Sequence, residues 1–340
     1  MLRNRQFSLS TLLLLVAIGL LSVSSQAQRP AKRVSRFSRN RDAQPIAASP
    51  SPASQQGART PSGISLSFGM VDFPRSPDST AFGVNSKGDI VGIYGPNLPT
   101  WEGETQSYLL EGDTFHKIGF PGAPYTSAFG INKKREIVGW YYDPSGDGDW
   151  HAFLKKGENY TNIDFPGADN TAAVNINDAG EVIGIYFQNS GGFVHAFALS
   201  KGVYTTIDSP LSYDIDPGGI NSSGVVVGTY LDENDDCHGF VFQNGQVSTV
   251  DYPGATNTIL TGINDAGQIV GEFGGNVLIN GLDWEAPNIF LLNQGTFTPL
   301  SLPVADAQVT WSYTLNGDQL VGFYVDSLGN IQGYTATISQ

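Results

Sequence analysis

Cysteine is almost absent from this 340-residue chain. Cys237 stands alone, so no disulfide can form within it, and stability must come from packing and hydrogen bonds. Basic residues are scarce after residue 63. Ile64 to Gln340 holds 31 acidic and nine basic residues, a charge of about −22. Such a surface offers no basic footprint for phosphate contact and excludes nucleic acid as a partner. Long apolar runs are lacking too. Leu12 to Leu21 is ten residues, against the roughly 20 that a spanning helix requires. No window sustains a 3.6-residue apolar period, so essentially no helix is expected. Missing as well are a G-x-S-x-G elbow, an H-E-x-x-H metal motif, a phosphate loop and the S-x-D-x-G-x-x-W box of sialidase-type propellers. No catalytic residue can be nominated from motifs, and the chain reads more readily as a non-enzyme.

What is present divides the chain into three. Residues 1–27 carry Arg3 and Arg5, the apolar run, and small residues at Ser25-Gln26-Ala27. This is the pattern of a secretory signal, and it predicts a secreted, periplasmic or cell-surface protein with no transmembrane span after cleavage. Residues 28–63 hold seven Lys or Arg, one Asp and the low-complexity "PIAASPSPASQQGARTPSG". Such a basic, Pro- and Ser-rich segment buries too little apolar area to offset ordering entropy and reads as a disordered linker. Residues 64–340 form the folded part.

That part is repetitive. Aligning on the Asn that closes a "GIN"-like string gives Asn85, Asn132, Asn177, Asn221, Asn264 and Asn316, spaced by 47, 45, 44, 43 and 52 residues. After each come a glycine-rich turn, an "IVGxY" string, a variable loop, an aromatic strand such as "HAFLK" or "HGFVF", and a segment such as "NIDFPGA". The pieces are short, β-branched or aromatic, and bounded by Gly, Asn, Asp or Pro. A unit of about 45 residues with four strands is the signature of a propeller blade. In Asn177-Asp178-Ala179-Gly180 the Asn can bond the backbone ahead, and the Gly can take positive φ. Arg135 stands where the other turns have Gly, so that turn should be strained or of another type. The last unit stops after its third strand, while "FGMVDFP" at Phe68 to Pro74 supplies the missing fourth. The expected fold is an all-β, six-bladed β-propeller, closed by an N-terminal strand that completes the last blade.

The tripeptide "HAF" together with "GIND.G.IVG.Y" resembles the HAF family of extracellular repeat proteins, named after its His-Ala-Phe string. The resemblance covers all six units from Phe68 onward and is weakest at Thr314-Leu315-Asn316-Gly317. It implies export and a repeat fold, and it transfers no catalytic residue.

Calling the strands of a blade a to d from axis to rim, small residues at Ala81, Ala128, Ala172, Ala173, Gly218 and Gly219 suit the crowded innermost position. The a–b and c–d turns then share one face, and the b–c and d–a loops share the other. The latter, the loop face, has all the length variation. Its b–c loops contain Trp101, Trp150 and Trp284, with acids that include Asp143, Asp147, Asp149, Asp232 and Asp236. Exposed aromatics beside acids on variable loops describe a surface for an extracellular glycan or protein ligand. The other reading of these Trp is that they fold back as small satellite cores. "DPSGDGDW" places Asp143, Ser145, Asp147 and Asp149 at offsets that echo the start of a calcium loop, though Leu154 holds the twelfth position. His151, His195 and His238 share one blade position with Gln106, Asn288 and Gln332, which points to a structural hydrogen-bond node and not to a zinc site. The six Asn of the turns read as architecture for the same reason. The expected function is an exported, monomeric, non-catalytic binding scaffold with no cofactor, calcium being the one candidate. The alternatives are a propeller lyase or glycosidase with a carboxylate pair at the channel mouth, or a structural envelope repeat.

Overall fold

The computed structural model describes residues 55–59 and 64–339, apart from 97, 99–104, 143–145, 191–192, 209–213, 235, 275, 280–281, 286–287, 305–306 and 308. Strand β1 (Gln55–Arg59) leads into β2 (Ser65–Val71). Blade 1 contains β3 (Asp78–Ser79), β4 (Gly83–Val84), β5 (Ile90–Gly95), β6 (Gln106–Glu111) and β7 (Thr114–Ile118). Blade 2 contains β8 (Tyr125–Ile131), β9 (Ile137–Tyr142), β10 (Trp150–Lys156) and β11 (Asn159–Asn162). Blade 3 contains β12 (Asn170–Ile176), β13 (Val182–Phe187), β14 (His195–Ser200) and β15 (Val203–Ile207). Blade 4 contains β16 (Asp214–Ile220), β17 (Val226–Leu231), β18 (Cys237–Gln243) and β19 (Gln246–Thr249). Blade 5 contains β20 (Thr258–Ile263) and β21 (Ile269–Phe273), then an inserted hairpin of β22 (Asn276–Ile279) and β23 (Leu282–Glu285), then β24 (Asn288–Asn293) and β25 (Thr296–Leu300). Blade 6 contains β26 (Val309–Asn316), β27 (Gln319–Val325) and β28 (Ile331–Ser339).

Each blade is an antiparallel meander, and the six form a ring. Blade 6 takes its fourth strand from the other end of the chain. β2 pairs with β28 over seven positions, from Ser65 opposite Ser339 to Val71 opposite Gly333. Asp78 of blade 1 ties that blade to β28, accepting from Ile331 N at 2.9 Å and, within its own blade, from Leu98 N at 3.1 Å. β1 lies within the stretch expected as a linker, and its backbone pairs with β2 as an outer fifth strand. The free edge of β2 presents unpaired N–H and C=O groups, and any extended segment can satisfy them whatever its composition.

The seams between blades are filled by aliphatics from the facing sheets, such as Val138 of blade 2 against Ala173, Ile176 and Val182 of blade 3. Four seams add a ring stack: Phe73 on Tyr94 at 3.6 Å, Phe120 on Tyr141 at 3.6 Å, Phe165 on Tyr186 at 3.7 Å and Tyr252 on Phe273 at 3.5 Å. Each such pair contributes about 0.5–1.5 kcal/mol beyond its buried area. A larger apolar cluster surrounds the axis, with Phe82 stacked on Phe129 at 4.5 Å and both beside Trp140, Trp311 and Phe323.

Innermost strands approach so closely that side chains are barred. A Cβ on Gly130 would stand 2.8 Å from the Asn175 Cα, and one on Gly262 would stand 2.7 Å from Leu315 N. The turn after each of these strands is then tied to its neighbour by the repeated Asn. Asn177 Oδ1 accepts from Ala179 N and Glu181 N, and its Nδ2 donates to the Asn221 carbonyl at 2.9 Å. The same cross-blade bond runs from Asn85 to Asn132, Asn132 to Asn177, Asn221 to Asn264, Asn264 to Gly317 and Asn316 to Val84, at 2.7–3.4 Å. Six side-chain amides thus make a closed belt. Arg135 keeps the common turn geometry at φ 60°. Its guanidinium reaches back to Asp89 and Glu111 of blade 1, both at 2.7 Å, which offsets the left-handed backbone.

Two outcomes test this account. Asn177→Ala removes one buried cross-blade bond and the acceptor of two partly exposed N–H groups. It should lower unfolding free energy by about 1–3 kcal/mol in urea titration, since each hydrogen bond contributes about 0.5–1.5 kcal/mol net. Deleting residues 1–72 should leave one edge of β28 unpaired and give a self-associating product by size-exclusion chromatography, where the full chain elutes as a single smaller species.

Candidate functional site

On the loop face the structure rearranges the expected residues. Trp150 is a correction. Its ring is buried, 9% exposed, packed edge-on against Trp140 at 4.0 Å within the axial cluster, so it cannot stack on a ligand at the surface. Trp101 lies outside the described residues, as does the side chain of Trp284, whose backbone pairs with Val277 in the β22–β23 hairpin. Three other large apolar side chains are exposed on this face: Tyr125 at the start of β8, Phe193 before β14 and Leu328 in the loop before β28. The loops of blades 2 and 3 are stitched together. Asn170 Oδ1 accepts from Trp150 N, Asn170 Nδ2 donates to Asn189 Oδ1 at 2.7 Å, and Asn189 Nδ2 donates to Asp149 Oδ1 at 2.7 Å.

Of the calcium-loop residues, Asp143 and Ser145 lie outside the described residues. Asp147 Oδ1 accepts from Asp149 N and meets His151 Nε2, both at 3.1 Å. Asp232 closes its own turn by accepting from Asn234 N and Asp236 N. Among the described residues no group of three or more His, Cys, Asp or Glu is placed to hold a metal ion.

The three histidines share one geometry. Each Nδ1 meets the carboxylate at the end of strand d: His151 with Asp164 at 2.9 Å, His195 with Asp208 at 3.1 Å, His238 with Asp251 at 3.0 Å. Each ring also stacks 5.2 Å from the tyrosine of strand b, namely Tyr141, Tyr186 and Tyr230. At His151, partial burial opposes protonation, but the carboxylates of Asp164 and Asp147 outweigh it and raise its pKa above the ordinary 6.5.

Two features escaped the sequence reading. The first is a cavity of about 320 Å³ at the axis on the turn face, opposite the loops. Its floor is an aliphatic ring of Val84, Ile131, Ile176, Ile220, Ile263 and Leu315, one from each blade. Four of the belt asparagines, Asn177, Asn221, Asn264 and Asn316, wall it, and Asp178, Asp265 and Asp318 stand at its rim. The second is a polar sector within the axial packing. At the cross-strand position that pairs Ala172 with Ile185 and Trp311 with Phe323, blade 4 pairs Asp216 with Thr229, and blade 5 pairs Ile259 with Glu272. Asp216 Oδ1 and Thr229 Oγ1 are buried without a hydrogen-bond partner. Burial, aided by the nearby Asp214, pushes Asp216 up to about 8. Glu272 instead accepts from Ser312 N at 2.6 Å.

No family model matches this chain, and no curated protein matches its sequence. Solved structures do resemble its fold. A catalytically inactive virginiamycin B lyase from Staphylococcus aureus with quinupristin is 11% identical, covering 86% of this chain and 98% of that one at a TM-score of 0.44. A six-bladed β-propeller lectin from Aleuria aurantia with a novel fucose recognition mode is 12% identical, covering 77% and 94% at 0.47. A Hadza microbial sialidase is 12% identical, covering 76% and 65% at 0.48.

Two titrations follow. Because the Asp216 pKa is raised in the fold, the folded chain keeps a proton that the unfolded chain loses between about pH 4 and pH 8. Stability should therefore fall as pH rises through that window and level off above it. Asp216→Asn should flatten this slope in pH-dependent urea unfolding, and an unchanged slope would assign it elsewhere. For His151 the slope has the same sign: a raised pKa adds stability that is complete below pH 6.5 and lost as pH rises through the folded value. Imidazole NMR titration should place His151 above 6.5, and Asp164→Asn should bring it down.

Proposed function

We propose that this chain is an exported, non-catalytic binding scaffold that presents its loop face to an extracellular glycan or protein. The carrying observation is the set of exposed apolar side chains, Tyr125, Phe193 and Leu328, on the face whose loops also carry Asp147, Asp149 and Asp232. A flat aromatic ring beside carboxylates suits a sugar, whose apolar face stacks while its hydroxyls donate to the acids. The bonds through Asn170 and Asn189 hold two of these loops in place before any ligand arrives, which reduces the ordering cost of binding. Export is supported by the signal-like pattern of residues 1–27 and by the resemblance to HAF repeat proteins. No helix among the described residues is long and apolar enough to cross a membrane. A lyase or glycosidase would draw on the acids nearest the axis, Asp216 and Glu272. Both are buried and Glu272 is committed to Ser312, so the geometry favours binding.

A glycan array probed with the labelled chain, with and without calcium, tests the reading. Tyr125→Ala or Phe193→Ala should weaken the strongest array signal about tenfold, the range for an aromatic anchor, while leaving the melting temperature in place. A blank array, together with self-association of the chain, would favour a structural envelope role. Equal binding by both variants would remove the loop face from the site.

A further inference from the structure

The axial cavity on the turn face lies on the opposite side of the ring from the proposed glycan surface, and its chemistry is different. We propose that it is a second binding site, for an organic ammonium ion carrying a short alkyl body. The observations are independent of the loop-face reading.

Shape and rigidity come first. All six blades contribute to the lining, so the cavity exists only because the ring is closed. Its walls include four asparagines of the hydrogen-bonded belt, Asn177, Asn221, Asn264 and Asn316, of which Asn177 and Asn264 are each fixed by more than two bonds. At about 320 Å³ it falls at the lower end of small-molecule sites. The floor is purely aliphatic and favours a hydrocarbon segment.

Two wall positions break the repeat. Four blades place glycine one residue before the floor aliphatic, but blade 3 has Asn175 and blade 6 has Thr314. In a six-membered ring these two blades face each other across the axis. Asn175 Nδ2 donates to the Gly218 carbonyl at 3.3 Å, and Thr314 Oγ1 donates to the Phe82 carbonyl at 2.8 Å. The Thr314 oxygen thus has its own proton committed and can only accept from a ligand, as suits an ammonium donor.

The rim sets the charge. Asp178, Asp265 and Asp318 line it, and no lysine or arginine does among the described residues. Asp178 Oδ1 accepts from Lys133 N at 2.8 Å, and its other oxygen pairs with Lys133 Nζ at 3.3 Å. Asp265 accepts from Ser222 N and Ser222 Oγ. Asp318 is exposed, and its side chain makes no hydrogen bond or ion pair given by the structure. A cation seated on the aliphatic ring would meet Asp318 without breaking an existing contact.

The experiment uses the full-length chain with carbon-13-labelled isoleucine methyl groups and three probes of equal length: n-hexylammonium, 1-hexanol and hexanoate. Hexylammonium should shift the methyls of Ile131, Ile176, Ile220 and Ile263 saturably, while Ile93 and Ile185, sealed in the core, stay still. Hexanol should bind more weakly, and hexanoate should not shift them. Asp318→Asn should weaken hexylammonium about threefold, the scale of one exposed charge contact. That variant breaks no contact of the fold, so its unliganded spectrum should match the parent and make a null result interpretable. Floor methyls that do not move would overturn the site. Equal affinity for hexanol and hexylammonium, or no effect of Asp318→Asn, would overturn the ammonium assignment.

Discussion

A single kind of hydrogen bond organises the molecule: a turn asparagine gives one amide proton to the main chain of the next blade. The donor sits on a strand end, the acceptor on the equivalent strand end one repeat later, so every bond points the same way round the ring. Such a bond contributes about 0.5–1.5 kcal/mol net of the water contacts it replaces. Its geometric effect is larger, because the sixth bond, from Asn316 to Val84, exists only when the other five have brought the ends to the right distance. The belt also explains the glycines behind it. Inner strands drawn that close leave no room for a Cβ at Gly130 or Gly262.

Much of this was legible because repetition exposes it. The Asn–Gly spacing identified turns, and the orphaned "FGMVDFP" identified the strand that closes blade 6, as the β2–β28 pairing shows. What the string of letters could not show was that the asparagine has two tasks. Capping its own turn uses Oδ1 and is a local property. Bridging to the next blade uses Nδ2 and depends on blade packing. The axial cavity was hidden for a related reason, since it is assembled from residues some 45 positions apart that look like ordinary core and turn residues.

Trp150 is an instructive error. Its position in a variable, acid-rich loop suggested a surface ring. Yet it immediately precedes His151, and neighbours on a strand point to opposite faces. A half-exposed histidine node therefore implies a buried residue before it, which is how the ring meets Trp140. Asp216 and Glu272 could have been found similarly. Each is the acid in a column where blades 2 to 6 otherwise place Ser127, Ala172, Ile259 and Trp311, or Trp140, Ile185, Thr229 and Phe323, and a charge in a core column marks an exception. β1 carried no such signal, because edge pairing recognises backbone and not side chains.

The latch between β2 and β28 has a bearing on biosynthesis. A chain made from its N-terminus produces the closing strand first and its partner last, with contacts such as Asp78 to Ile331 spanning 253 residues. Until the final segment emerges, five complete meanders have no closed ring to join, and the early strand has nowhere to dock. Closure over such separations is slow compared with local hairpin formation. A chain of this design cannot close its ring until synthesis reaches the last strand, so its final fold is a property of the finished polypeptide and of no shorter piece.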